Sequence, residues 1–486
     1  MLFSATLSLP GRFLRKPFTG LDKQFELFNL AWAIAVLFHM ANQRVYTHSL
    51  SYFLLTISAI LLLAKPSSVG RLMLLIFMQL FQVIVSMPAV PNHWIFMAFV
   101  NLTIVQAMIY QAVKTKTFLV DKELLLKTFA PVVRVEVLVL YFYVVFHKLN
   151  SGFFNPDISC ATDFLVAQDS SGITNQSKQF LALNAYISIG AEAIIPLLLV
   201  FRKTRDLGLL LGLVFHCILA FNPINGFYDI SSMIFGTYIL FTSTNFTNEV
   251  YRWYDQFLKW KDRIHTGLSR FTVPKLAVII MGVAAILGIL IVLMWYLNTK
   301  DFFREFFWTA FNIVFIGPFV FSMLRKNKPA VIETKYFSMP SWSFIVFPVI
   351  VFLNGLTPYL GLKTENAYAM FSNLRTEGGK TNHYLVPVST QIFDYQKDLV
   401  EIVSSTDPLL NKIKRENQLM VYFSFKNYII SKKPTRIVYL RNGEKKIFEW
   451  DNPITHGDLL QRDSRFLRKI MNYRTISKYE PQPCNH

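Results

Sequence analysis

Apolar runs long enough to cross a bilayer recur along this chain from residue 25 to about residue 360. A run of about 17–25 apolar residues matches the ~30 Å hydrocarbon core as a helix. Only helices and closed barrels satisfy their own backbone there. Eleven runs can be bounded: 25-41, 49-65, 71-90, 93-113, 129-148, 179-201, 206-222, 227-244, 274-297, 304-324 and 341-360. The shortest are marginal in length, and Pro91-Asn92 is the weakest boundary. The 46 Phe and 21 Tyr suit lipid contact better than an ordinary soluble core. The expected fold class is an all-α polytopic membrane bundle of about eleven transmembrane helices, followed by a small α+β extracytoplasmic C-terminal domain.

A net charge of +19 could mean nucleic-acid binding, but its placement says otherwise. With a cytoplasmic N-terminus, the inward segments and their immediate flanks hold 23 Lys and Arg. The outward loops between spans hold Arg44, Lys178, Lys300 and Arg304. That bias is the positive-inside pattern and sets the orientation. The charge therefore has a topological explanation, and no nucleic-acid partner is expected. Residues 1–24 carry Arg12, Arg15, Lys16 and Lys23 without a small-residue cleavage site, so the first span reads as an anchor. The odd span count places the C-terminal region outside, in a multi-pass protein of the cell membrane.

Four regions follow. Residues 1-244 hold an eight-span bundle, 245-273 a basic cytoplasmic connector, 274-362 three further spans, and 363-486 a polar domain of soluble character. In the connector, Trp253, Phe257, Trp260 and Ile264 recur at helical spacing among basic residues. The pattern fits a helix in the inner membrane interface or one packed on the bundle's inner end. In the last region, two β-rich runs flank Asn442-Gly443, a strong hairpin signal. Asn417 to Ile430 reads as a helix. Cys160 and Cys484 both fall on the predicted outer side, where a disulfide could persist and tie the long outer loop to the C-terminal region. Cys217 reads as a small buried apolar residue. No His/Cys cluster has metal-ligand spacing, and no metal is expected.

Ionisable groups inside the spans are costly and mark candidate sites. Lys148 ends an apolar helix, and Arg134, Tyr141 and Lys148 are spaced by seven residues, a drift of only about 20° per step. All three share one face. Either Lys148 snorkels to the headgroups, or it sits in a desolvated pocket where a neutral amine acts as a base. His216 lies in the outer half of another span running the same way, and could face Lys148 at similar depth. The alternative is a structural hydrogen-bonding histidine. Glu192, near mid-membrane, reads as a counter-ion for Arg134 or Lys148, or more sharply as a proton relay. The Gly-, Pro- and Asn-rich strip from Asn354 to His383 leaves the membrane on the same side. It reads as a hinge, or as a lid in which Asn354, Tyr359 and Asn373 contact substrate. No Walker loop, GxGxxG, GxSxG or HExxH is present.

The segment Leu140-Tyr-Phe-Tyr-Val-Val-Phe-His-Lys148-Leu149 resembles the lysine-bearing helix of the vitamin K-dependent gamma-glutamyl carboxylases. Phe215-His216, Asn222 and the next apolar span resemble their histidine-bearing region. The wider group is the HTTM (horizontally transferred transmembrane) family, and the resemblance covers about residues 20–245. It implies that Lys148 is the catalytic base acting on a reduced quinone, with O2 and CO2 as co-substrates. The strong base so formed would remove a γ-proton from a glutamate side chain, and CO2 would add. His216 would stabilise charge or shuttle protons. Three departures accompany it: His147 stands where those enzymes carry a second lysine, Asn150-Ser-Gly-Phe-Phe replaces their acidic, Trp-containing sequence after the catalytic lysine, and the C-terminal region is much shorter than their lumenal part.

Two functions are therefore expected. The first is an integral membrane enzyme of the carboxylase (lyase) kind, using a quinone or lipid cofactor to modify an exported peptide or protein. The second is a non-catalytic membrane scaffold or maturation partner that binds exported peptides through its outer domain. A transporter fits less well, because paired broken helices and inverted repeats are missing.

Overall fold

The computed structural model describes residues 20–45, 48–168, 177–268, 302–325 and 336–484. The helices are α1 (Gly20–Gln43), α2 (Leu50–Ala64), α3 (Val69–Ser86), α4 (Asn92–Thr115), α5 (Lys122–Phe146), α6 (Cys160–Gln168), α7 (Lys178–Val200), α8 (Arg205–Leu219), α9 (Tyr228–Ile239), α10 (Thr244–Leu268), α11 (Phe302–Leu324) and α12 (Val346–Leu360). Among the described residues, α1, α3, α4, α5, α7, α11 and the stretch Trp342–Leu360, a 3-10 turn running into α12, are long and apolar enough to cross a membrane. Their outward faces carry large apolar groups, such as Phe77 and Ile84 on α3 and Ile187 and Leu197 on α7. Hydrocarbon solvates such a surface and water does not.

The expected spans 49–65, 206–222 and 227–244 form the shorter helices α2, α8 and α9. The expected span 274–297 lies outside the described residues. Helix α9 lies within the bundle, with almost every residue buried. At its end, Gln24 donates to the carbonyls of Ile239 (2.9 Å) and Thr242 (3.2 Å). Orphan carbonyls of a helix end thereby find a partner away from water. A polar chain ties α1, α4 and α3 together: Trp32 Nε1 donates to Asn101 Oδ1 (2.9 Å), and Asn101 Nδ2 to Gln79 Oε1 (2.9 Å). Interhelical bonds of this kind supplement tight packing where no hydrophobic force acts between helices. In α10, Trp253 meets Phe321 of α11 edge to face, whereas Phe257 and Trp260 stay exposed. Trp253 thus packs on the bundle, as one expectation for the connector has it.

Beyond α12 the chain builds β1 (Leu399–Ser405), α13 (Pro408–Arg415), β2 (Gln418–Val421), α14 (Tyr422–Lys432), β3 (Arg436–Arg441), β4 (Glu444–Glu449), α15 (Arg465–Ile470) and β5 (Ile476–Ser477). The strands form one antiparallel sheet in the order β4-β3-β1-β2-β5. Asn442 and Gly443 turn between β3 and β4 with φ of 52° and 80°, the left-handed pair that such a two-residue turn requires. The helix expected over Asn417 to Ile430 begins only at Tyr422. Asn417 adopts φ 50° and residues 418–421 pair with β1 and β5, so sheet pairing overrides local helix preference there. The region docks on the bundle through Lys469, whose Nζ donates to the carbonyls of Ile84 (2.9 Å), Val85 (3.2 Å) and Met87 (3.1 Å) at the end of α3.

Candidate active site at one end of the bundle

Asp121 starts α5 by accepting the Leu124 N–H at 3.0 Å. The helix runs to Phe146, and Lys148 and Leu149 follow in a tighter turn, their N–H groups donating to Val145 (3.0 Å) and Phe146 (3.1 Å). Asn150 ends the turn by donating to the carbonyls of His147 and Ser372, both at 2.7 Å. This tight exit keeps Lys148 in the bundle. Its side chain is 9 % exposed and forms an ion pair with Glu192 of α7, whose side chain is equally buried. The Phe153 ring lies 5.4 Å from the amine. Lys148 therefore does not snorkel, and of the two counter-ion assignments for Glu192 the structure adopts Lys148.

Next to the pair runs a hydroxyl–imidazole chain. His216 Nε2 lies 3.0 Å from the Tyr141 hydroxyl, which lies 2.5 Å from the Tyr238 hydroxyl. His216 Nδ1 is 3.5 Å from Ser231 Oγ. Tyr238 reaches this position by passing over Gly212 of α8, where a Cβ would fall 2.7 Å from two ring carbons. The glycine is thus required by close approach.

Lys148, Glu192, Tyr141 and His216 line one cavity of about 300 Å³, whose remaining wall is mainly apolar. Ile187 of α7 and Ile218 of α8 belong to that wall and are each 59 % exposed. The cavity thus opens sideways between two helices, toward the lipid-facing surface. Tyr368, Met370 and Phe371 close another side. They come from a strip in which Asn366, Tyr368, Phe371 and Asn373 all adopt left-handed backbone, with φ of 61°, 64°, 55° and 53°. Each costs of order 1–3 kcal/mol unless its surroundings hold it. Here the Asn92 side chain accepts the Tyr368 N–H at 2.6 Å, and Asn366 donates to the Pro88 carbonyl at 2.5 Å.

The structure places the other expected site residues elsewhere. Arg134 lies fourteen residues before Lys148, roughly 21 Å along the helix. It donates to the carbonyls of Leu240 (2.7 Å) and Tyr336 (2.8 Å), and Tyr336 is held between Arg134 and Arg205. A helix face of this length reaches from one end of the bundle to the other. Asn354, Tyr359 and Asn373 are outside the cavity lining. Asn354 accepts from Lys363 (2.7 Å) and donates to the Asn366 carbonyl (2.7 Å). The Tyr359 hydroxyl lies 2.8 Å from His147 Nδ1. Asn373 accepts the Cys160 N–H at 2.9 Å and donates to the Ile158 carbonyl at 2.8 Å. These three fix the strip, and the strip's apolar residues meet the cavity. His147 faces the strip as well, with Nε2 2.9 Å from the Ala367 carbonyl. Cys160 and Cys484 are joined by a disulfide at this end of the bundle.

Sequence reasoning missed Tyr238 and Ser231, which carry no charge in their apolar run. It also missed His39, His93 and Asp229, which three separate helices bring together. Asp229 gave the same signal as Glu192, a carboxylate inside an apolar run. Compared with protein-family models, with curated proteins and with solved structures, the chain matches none of them.

Proposed function

We propose that this protein is an integral membrane enzyme in which Lys148 acts as a base on a lipid-soluble substrate, in the manner of the gamma-glutamyl carboxylases it resembles. The observation that carries the reading is the Lys148–Glu192 pair, held in a largely apolar cavity that opens between α7 and α8. A structural ion pair has no need of a cavity beside it. A cavity of about 300 Å³ with apolar walls and a few polar groups fits a small ring system. For Lys148 to act as a base its proton passes to Glu192, which the ion pair already holds in contact with the amine. The free amine can then take a proton from a bound hydroxyl. Tyr141, with His216 on one side and Tyr238 on the other, offers a second route for that proton. A reduced quinone, with O2 and CO2, would supply the strong base and the carboxyl group, and an exported glutamate-containing peptide would receive it.

The same reading takes eleven spans, a cytoplasmic N-terminus and an extracytoplasmic C-terminal region. The charge bias supports that orientation, and so does a disulfide at the cavity end, since disulfides persist in oxidising compartments. The test is oxygen uptake and labelled CO2 incorporation by purified protein supplied with a reduced vitamin K-type quinone and a glutamate-rich peptide. Lys148→Ala should abolish both while the Cys160–Cys484 bridge still forms. Turnover unchanged by Lys148→Ala would overturn the reading.

One observation favours the scaffold alternative. A cleft of about 470 Å³ in the C-terminal region is lined by Glu365, Lys412, Glu416 and Arg474. Peptide capture that depends on this cleft, with Lys148→Ala harmless, would put the scaffold first.

A further inference from the structure

At the same end of the bundle, the last turns of α1 and the first turns of α4 and α9 bring His39, His93 and Asp229 together, all buried. His93 Nε2 lies 2.9 Å from His39 Nδ1 and 3.4 Å from Asp229 Oδ2. The three ligand atoms all fall within 4.8 Å of one another. An imidazole nitrogen carries one N–H or one lone pair in its plane, so His93 Nε2 can serve only one of these partners fully. A cation at the centre of the three would serve them all. Zinc and similar ions bind imidazole nitrogen and carboxylate oxygen at roughly 2.0–2.2 Å. Ligands at that radius stand about 3.0–3.4 Å apart for angles between octahedral and tetrahedral. The two separations on His93 match that spacing.

The surroundings are those of a supported metal ligand set. Asn42 Nδ2 and Gln43 Nε2 donate to Asp229 Oδ2 at 3.0 and 3.1 Å. Arg304 Nη1 in turn donates to Asn42 Oδ1 at 2.9 Å. The His39 ring stacks on Trp94 with centroids 3.8 Å apart, which fixes its plane. Ligating carboxylates and imidazoles are commonly oriented by such outer partners.

We propose that His39, His93 and Asp229 bind one divalent first-row transition-metal ion. Two imidazoles and one carboxylate leave coordination positions open, the arrangement of metal sites that take a further ligand. His93 also lines the cavity that holds Lys148. Through His93 the ion would adjoin the cavity, where an oxygen atom of an occupant could complete its coordination. The site stands independently of the role given to Lys148.

The experiment uses the full chain in detergent, with any affinity tag removed. Metal content is measured by elemental mass spectrometry, then chelator-treated protein is titrated with Co2+ and followed by its visible absorption. The expected result is one equivalent bound by the wild-type chain, with binding lost in His93→Ala and Asp229→Asn and retained in Lys148→Ala. Asn42→Ala should weaken Co2+ binding by about 10–100-fold. The proposal is overturned if folded wild-type protein, with its Cys160–Cys484 bridge intact, binds no stoichiometric Co2+. It is equally overturned if His93→Ala and Asp229→Asn bind Co2+ as the wild type does. Because the readout is metal and not turnover, its failure leaves the Lys148 reading untouched, and loss of turnover leaves this one untouched.

Discussion

Replacing Glu192 by leucine leaves the Lys148 side chain in a buried position without its carboxylate. Both partners are only 9 % exposed, so solvent screening is slight. Removing one partner of a buried pair typically costs about 3–5 kcal/mol. Lys148→Met should cost a similar amount, because it strands the carboxylate. The double variant Lys148→Met/Glu192→Leu should recover most of that loss, since apolar pairs of similar volume often replace buried ion pairs at no cost. Globular proteins gain roughly 2 cal/mol/K of entropy per residue on unfolding. For 486 residues, each kcal/mol then moves the melting midpoint by about 1 °C. Each single variant should therefore melt about 3–5 °C lower in detergent, and the double variant within about 1 °C of the wild type. Intrinsic fluorescence during a thermal ramp reads all four proteins. If both single variants fall by less than about 1 °C and their effects add, the pair is solvated like a surface bridge. Lys148 would then not be the buried base the proposed function requires.

Three other outcomes are expected. Gly212→Ala should displace the Tyr238 hydroxyl from Tyr141, because the added Cβ overlaps the Tyr238 ring; the loss should be about 1–3 kcal/mol, read by thermal melting, with turnover reduced alongside. Cys160→Ser opens a covalent loop spanning 324 residues and should destabilise by about 2–5 kcal/mol, with loss of the mobility shift between reduced and unreduced gels. Burial pushes the Lys363 ammonium from its ordinary 10.5 down to about 8. Between those values the unfolded chain binds the extra proton, so stability should rise as pH is raised from about 8 to about 10.5. Below pH 8 both states are protonated and this slope vanishes. Lys363→Met should flatten the rise in a pH series of melting curves, and a rise that persists unchanged would assign it to other groups.

Periodicity and hydropathy made much of the fold legible. The β3–β4 hairpin could be read from Asn442-Gly443 because the turn's backbone demand is local. Lys148, Tyr141 and His216 could be brought together from helix phase and depth alone. What could not be read depends on which helices are neighbours. Arg134 shares a helix face with Lys148, yet the bonds that fix it come from Leu240 and Tyr336 at the other end of the bundle. Asn354, Tyr359 and Asn373 stood in a strip of the right composition, but their polar groups are spent within the fold, on Asn366 and Lys363, on His147, and on Cys160 and Ile158. The His39–His93–Asp229 cluster is assembled from three helices with no spacing signature, so a search for ligand motifs passes over it. The lengths of α8 and α9 were also hidden, because hydropathy does not mark where a helix gives way to the apolar turn after it.

The left-handed strip has a consequence for how the protein is made. The segment from α5 to α8 supplies Lys148, Glu192, Tyr141 and His216, all complete by residue 219. The wall formed by Tyr368, Met370 and Phe371 emerges from the ribosome more than a hundred residues later. During that interval the helices can insert and pair while one side of the chamber stands open. The C-terminal region thus acts as a late-fitted stopper, and the strain of its backbone is accepted only once Asn92 and Pro88 are already in place to receive it. A nascent chain stopped before residue 366 would hold its charged pair in an unfinished chamber, which ties completion of the site to completion of the chain's last domain.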